Sequence, residues 1–326
     1  MEAARDWVVD MFKEHVDVLT TDTTVAAATV FAVVVLLILV PFGAKFMVKG
    51  FSCVIFFEGI LLLLFPEIAF KIFAAENVEP DVLHLQEIRS LGIIDIAIGM
   101  TFFLTMKSTD STVHSSYFFS MTLLTGCCLM MEAAALSKKN PKVNPNMRNL
   151  AVHNLLIWFG LFVFHSMRQQ DWGGYVEVST SCRNTHLRLD FVIWFLTGLA
   201  AVIYPQIIYS CQVVSSFTLD ATHAQNARLM GVGFIALAFM SGRASNFLRE
   251  DDKKAVLLSH ALACVLLLVT MGLNQILTTS FTVWHAAFGM TTVFLTLVNA
   301  ILGSDPKQLA RNAKQQLSKL VPVKQD

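Results

Sequence analysis

The hydrophobic pattern of the chain consists of long apolar runs separated by short polar segments. A helix needs about 20 apolar residues to cross roughly 30 Å of hydrocarbon. Runs of about this length predict helices at residues 24–42, 51–73, 88–106, 115–136, 150–167, 191–213, 229–247, 255–277 and 283–302. The predicted fold is therefore an all-α integral membrane protein with about nine transmembrane helices.

A twelve-residue motif occurs twice in the chain. Residues 81–92 read DVLHLQEIRSLG and residues 220–231 read DATHAQNARLMG, with five identical positions. The same offset of 139 residues aligns Pro66 with Pro205. The last span matches the fifth at an offset of 132, because the Asn- and Pro-rich loop at 138–146 tolerates changes in length. We therefore predict a tandem duplication of a four-helix unit plus one extra N-terminal helix.

This duplication divides the chain into five predicted segments. An amphipathic N-terminal segment with the first transmembrane helix comes first and is followed by the first four-helix repeat. A polar inter-repeat loop, the second four-helix repeat and a basic amphipathic C-terminal tail follow. In chain order the five segments are residues 1–50, 51–168, 169–189, 190–303 and 304–326.

Composition agrees with a membrane location. Hydrophobic residues make up 55% of the chain and charged residues 15%, with a mean hydropathy of +0.60. A soluble domain carries about 25% charged residues, so lipid must solvate most of this chain. The formal net charge of +0 argues against nucleic acid as a partner. The six cysteines form no CxxC pair, so they predict no metal site.

Lysine and arginine positions predict the orientation in the bilayer. Nine of them fall on the side of the N-terminus and the 81–92 motif, and fifteen fall on the opposite side. Positive residues accumulate on the cytoplasmic side of a membrane, so we expect a cytoplasmic C-terminus. The expected partners are the lipid bilayer and, as a candidate, another membrane protein.

Ten polar residues that recur in both halves are the main candidates for a site. They are Asp81, His84, Gln86, Arg89, His153, Asp220, His223, Gln225, Arg228 and His285. One interpretation is a structural polar cluster in each half, in which arginine holds aspartate and histidine caps a helix. It predicts Arg89 within hydrogen-bond reach of Asp81 or a backbone carbonyl. The other interpretation is a site for an anion, a metal or haem, since imidazoles and carboxylates suit several metals.

Two acids are expected inside the membrane in the first half only. Glu58 and Asp95 are replaced by Thr197 and Phe234 in the second half. A carboxylate at such depth costs several kcal/mol unless it is paired, protonated or hydrated. The pair therefore predicts either a proton or cation path, or two protonated carboxyls that only form hydrogen bonds.

A short stretch of each half resembles a known family. The order of an apolar helix, Phe65-Pro66-Glu67-Ile68, an acidic loop, Arg89-x-x-Gly92 and a second apolar helix resembles the DoxX-like four-helix membrane proteins. That family includes redox-complex subunits, receptor-assembly chaperones and cargo receptors, so the resemblance implies several accessory roles. The duplication and the extra first helix depart from the family pattern, and no functional residue is carried over.

Together these features favour a multi-pass membrane protein with a non-enzymatic assembly, scaffold or accessory role. The alternative is an ion, proton or small-solute transporter or channel between the two repeats. It would need a continuous polar cavity that reaches Glu58 or Asp95. A membrane enzyme or a cofactor-binding redox protein is the third candidate. It would need a closed pocket with a bound cofactor, and the sequence implies no particular one.

Overall fold

The computed structural model describes residues 44–75, 78–137, 142–168 and 182–304. Within these ranges the protein is helical and contains no β-sheet, only two isolated bridges between loops. The ten α-helices are α1 Ala44–Leu64, α2 Pro66–Phe73, α3 Val82–Thr105, α4 Ser111–Ser137, α5 Pro145–Arg168, α6 Cys182–Ile203, α7 Pro205–Gln212, α8 Ala221–Ala244, α9 Glu250–Leu277 and α10 Thr291–Gly303. The first predicted span at 24–42, and nearly all of the predicted tail, lie outside the described residues.

Eight of the helices in the described ranges are long and apolar enough to cross a membrane, which fits an integral membrane protein. Helix bounds in the two halves differ by the offset that aligns the two motifs. The pairs α1 and α6, α2 and α7, α3 and α8, and α4 and α9 all follow it. The last pair differs, because α5 is continuous whereas α10 is preceded by a π-helix, His285–Met290.

Two predicted spans, 51–73 and 191–213, are each broken into two helices. Proline lacks a backbone N–H and its ring clashes with the preceding turn, so each long helix ends just before Pro66 or Pro205. Each proline then occupies the first turn of a short helix, where its missing N–H costs nothing. The boundary at 189 is also wrong, because α6 begins at Cys182 within the predicted inter-repeat loop.

Helices α3 and α8, which begin with the repeated motif, form the centre of the molecule. Within their apolar windows 61% of the residues are buried, against 22% to 44% for the other six long helices. They contact each other, and we call this contact the α3–α8 junction. Many of the exposed large apolar side chains belong to the other helices, and lipid would cover them.

Paired glycines let each central helix approach its outer neighbour. A Cβ added at Gly59 of α1 would lie 2.5 Å from the Gly92 carbonyl oxygen of α3. In the second half, a Cβ at Gly198 would lie 2.5 Å from the Gly231 carbonyl oxygen. Only glycine permits this backbone contact, so the α1–α3 and α6–α8 crossings are built in the same way.

The two halves interleave along the junction. Helix α4 packs along α8 of the other half, and α9 packs along α3. Loops at the end of the molecule opposite the motif add cross-half bonds, since Ser108 Oγ donates to Asp252 at 2.6 Å and the Leu248 N–H donates to Asp110 at 2.7 Å. The contacts of the described helices therefore do not support two separate four-helix bundles.

Candidate functional site

The repeated motif forms the N-terminus of each central helix. Asp81 is the N-cap of α3, and its carboxylate accepts from the backbone N–H of His84 at 2.9 Å. Asp220 caps α8 in the same way, accepting from His223 at 3.0 Å. Each aspartate also donates its own N–H to the Nδ1 atom of that histidine, at 3.5 Å and 3.1 Å. The two side chains of each motif thus satisfy helix-end N–H groups reciprocally.

These two caps meet across the junction. The rings of His84 and His223 stack with centroids 3.8 Å apart, and His223 Nε2 lies 3.1 Å from the Asp81 carboxylate. The Asp220 N–H can only donate, so Nδ1 of His223 accepts this hydrogen bond. The ring proton of His223 is therefore on Nε2, which donates a hydrogen bond to Asp81. His84 Nε2 lies 3.6 Å from Asp220, too far for a good hydrogen bond. We call Asp81, His84, Asp220 and His223 the Asp–His cluster.

Charge holds both aspartates ionised. Burial raises the pKa of Asp81, but hydrogen bonds from His223 and His84 outweigh it and hold that pKa far below its usual range. Burial likewise opposes ionisation of Asp220, yet Lys142 and the His223 backbone keep its pKa below the usual value. The Lys142 ammonium lies 2.8 Å from Asp220, which raises the lysine pKa. Asp220 therefore has the Lys142 ammonium as a side-chain partner, in place of the hydrogen bond that His84 does not form with it.

The arginines of the motif do not bond to its aspartates in the part of the chain that the structure describes. Arg89 makes no hydrogen bond to Asp81 there, and Arg228 makes none to Asp220, because the histidines occupy the carboxylates. His153 lies on the α5 surface and its Nδ1 contacts the Asn149 carbonyl of its own helix at 2.7 Å. At the motif, histidine and not arginine therefore forms the contacts between the two halves.

The two repeated glutamines also reach into the opposite half. Gln86 donates to His285 Nε2 at 3.1 Å and accepts from Asn274 at 3.0 Å. Because Nε2 of His285 accepts, its Nδ1 carries the proton and donates to Gln275 at 2.8 Å. These contacts fix the start of the π-helix.

The matching glutamine of the second half, Gln225, donates to Glu132 at 3.1 Å. Glu132 is in turn 3.1 Å from the Arg148 guanidinium. Glu132 lies inside the predicted span 115–136. A charged residue within an apolar run is costly, so the sequence could have identified Glu132 as a candidate site residue.

A metal could be held only at the cost of present contacts. One ligand atom each of Asp81, His84 and His223 lies within 4.8 Å of the others, and these types suit a small transition-metal ion. Such an ion would displace the His223–Asp81 hydrogen bond. Haem does not fit between the histidines, because rings with centroids 3.8 Å apart leave no room for a porphyrin.

Glu58 and Asp95 lie beside each other at the α1–α3 crossing. Glu58 is on the exposed surface and Asp95 is half-buried, close enough for the two groups to interact electrostatically. Their counterparts Thr197 and Phe234 line a cavity between α6 and α8. This cavity is not lined by Glu58 or Asp95, so it does not supply the polar path that the transporter alternative needs.

A second buried polar cluster occurs within the second half and was not predicted. Asp190 accepts hydrogen bonds from Ser241 and from His260 Nδ1, the latter at 2.6 Å, and all three side chains are fully buried. Asp190 comes one residue before the predicted span 191–213, and His260 lies inside the predicted span 255–277. Asp190 lies about two turns inside α6, which begins at Cys182, so the predicted start of this span at 191 hid the buried carboxyl.

Comparison with known proteins places the chain in a family. A family model described as a domain of unknown function, DUF8292, matches residues 49–305. The chain belongs to the DUF8292 family. No curated protein and no solved structure matches it. The matched range includes both motifs of this DUF8292 protein and every long helix described above. The family description assigns no activity, so the geometry of the site must carry the functional argument.

Proposed function

We propose that this DUF8292 protein is a multi-pass membrane protein with a non-enzymatic assembly, scaffold or accessory role. One observation carries the proposal: His223 bonds to Asp81 across the α3–α8 junction, and the rings of His84 and His223 stack there. A catalytic site keeps a nucleophile or base free to meet its substrate. Here the carboxylates are already occupied by helix ends, histidines and Lys142.

Retention of the cluster in both halves supports the same proposal. A single active site would need to survive only once after a duplication, whereas a joint between the halves needs both copies. The resemblance to the DoxX-like proteins, whose known roles include receptor assembly and cargo escort, points in the same direction. The C-terminus would face the cytoplasm, as the lysine and arginine distribution favours.

Site-specific photocrosslinking in cells tests the accessory role. A benzophenone amino acid would replace Phe57 of α1 or Phe294 of α10, which are 62% and 54% exposed. The matched control is Phe162, which is 1% exposed and reaches only the protein interior. We expect a discrete, saturable adduct with one membrane protein from at least one exposed position. Adducts with lipid alone from both exposed positions would contradict the proposal.

Proton or cation transport is the second candidate, favoured by the adjacent Glu58 and Asp95 carboxyls. Proteoliposomes loaded with a pH-sensitive dye separate it from the first. The accessory role predicts that dye response after a pH jump equals that of empty liposomes. Flux that is abolished by Glu58→Gln or Asp95→Asn would establish transport instead.

A further inference from the structure

A cavity of about 370 Å³ lies between the helices of the second half and the start of α3, bounded by α3, α6, α7, α8, α9, the π-helix and α10. Its walls are largely apolar, with Trp194, Ile208 and Phe234 among them. An apolar cavity of roughly 150 Å³ is enough to bind benzene. This cavity could therefore hold roughly two to three such groups.

The cavity contains buried polar atoms that lack partners. Glu87 is 1% exposed and lines the cavity; its Oε2 accepts from Asn226 at 2.9 Å, but its Oε1 has no hydrogen-bond partner. Glu87 precedes the predicted span 88–106, whereas in the structure it lies in the second turn of α3. An unsatisfied carboxyl oxygen at this depth is costly, so a hydrogen bond from a bound molecule would stabilise it.

Two potential donors line the same cavity. Tyr209 is 6% exposed and its hydroxyl lies close to the Glu87 carboxyl without forming a well-aligned hydrogen bond. The Trp194 Nε1 atom, a donor only, is also buried and unpartnered. The cavity thus presents an acceptor and donors among apolar walls. A hydroxyl group both donates and accepts, so it complements this set.

The π-helix supplies the outer wall. Phe288 lines the cavity and is 63% exposed, so the cavity reaches the outer surface of the helices there. That surface lies in an apolar span, where lipid would surround it. In the first half the equivalent residues belong to the regular helix α5. Single π-turns in otherwise α-helical segments are frequently found at functional sites.

We propose that this cavity binds a lipid-soluble molecule with a compact apolar body and one hydroxyl group. The molecule enters from the bilayer beside Phe288. Its hydroxyl donates to Glu87 Oε1 and accepts from Tyr209 or Trp194, while the body fills the apolar walls. This inference does not depend on the accessory role proposed above, since a scaffold or a transporter could equally carry the site.

Pyrene derivatives test the proposal with the full-length protein in nanodiscs. Energy transfer from tryptophan reports binding, because Trp194 lines the cavity. The probes are 1-hydroxypyrene, 1-methoxypyrene, which cannot donate, and pyrene. We expect saturable binding of 1-hydroxypyrene, and about tenfold weaker binding of the other two, the loss typical of one missing buried hydrogen bond.

Variants locate the binding. Ala200→Phe should fill the cavity and abolish saturable transfer, whereas Leu199→Phe, on the neighbouring position that does not line it, should leave transfer unchanged. Glu87→Leu should weaken 1-hydroxypyrene binding about tenfold. If that variant fails to fold, Tyr209→Phe removes a single oxygen and imitates Phe70, its counterpart in the first half. Equal binding of the three probes, or saturable binding that survives Ala200→Phe, would overturn the proposal.

Discussion

The α3–α8 junction and the interiors that flank it differ in how closely the two halves resemble each other. At the junction both halves use the same aspartate cap and the same histidine. In the flanks, equivalent positions differ in kind, because Asp190, Ser241 and His260 replace an apolar set, Phe51, Phe102 and Met121. Phe51 and Phe102 pack with ring centroids 5.7 Å apart where Asp190 and Ser241 form a hydrogen bond.

This comparison indicates which contacts have to stay alike in the two halves. In a flank, the side chains need only find partners within their own half, either by apolar packing or in a closed set of hydrogen bonds. At the junction Asp81, Asp220 and the two glutamines have partners in the other half, so a change in one half strands a group in the other. The cavity is a flank feature too, since Tyr209 stands where the first half has Phe70.

The largest effect should separate the two flanks. Asp190→Leu would strand Ser241 and His260, and we expect it to lower the free energy of unfolding by about 3–5 kcal/mol. The equivalent change in the first half, Phe51→Leu, keeps an apolar contact and should cost about 1 kcal/mol. SDS titration in mixed micelles measures both. Equal losses would remove the distinction between polar and apolar flanks.

Apolar run length is a local property of the sequence, so it located the eight long helices of the described ranges. It did not show that Pro66 and Pro205 each divide a predicted span into two helices. The partners of the motif were not predictable in this way. Spacing places Asp81 and His84 on one face and permits a cap, but it cannot show that His223 completes the cluster from 139 residues away. Arg89 was favoured because it has five donors. The packing of α3 on α8 placed histidine there instead.

The glycine crossings should respond alike in both halves. Gly59→Ala and Gly198→Ala each push a methyl group against the backbone of the central helix, which should cost about 1–3 kcal/mol. Gly160→Ala is the control, since a Cβ there meets nothing within 4 Å. Alanine favours helix, so this control should be neutral or slightly stabilising. Thermal melting in detergent compares the three, and a large difference between the first two would show that the crossings are not equivalent.

Acid should weaken the junction by a smaller amount. The pKa of Asp81 and that of Asp220 are both lowered in the folded protein, so their stabilisation is fully present above their unfolded pKa of about 3.9. It is lost as the pH falls below that value through the folded pKa values. The effect is the smallest, because Asp81 is 37% exposed and solvent screens its contacts. Between pH 7 and pH 3, the melting temperature of the Asp81→Asn, Asp220→Asn double variant should fall less than that of the unchanged protein.

A double-mutant cycle on Asp81 and His223 tests most directly that the repeated motif joins the two halves. The variants are Asp81→Ala, His223→Ala and their combination, each unfolded by SDS titration with Arg89→Ala as the matched control. We predict a coupling energy of about 1–2 kcal/mol between Asp81 and His223, and additive effects for Arg89 with His223. Additive losses for Asp81 and His223 would contradict the account, because the two side chains would then stabilise their own helices independently.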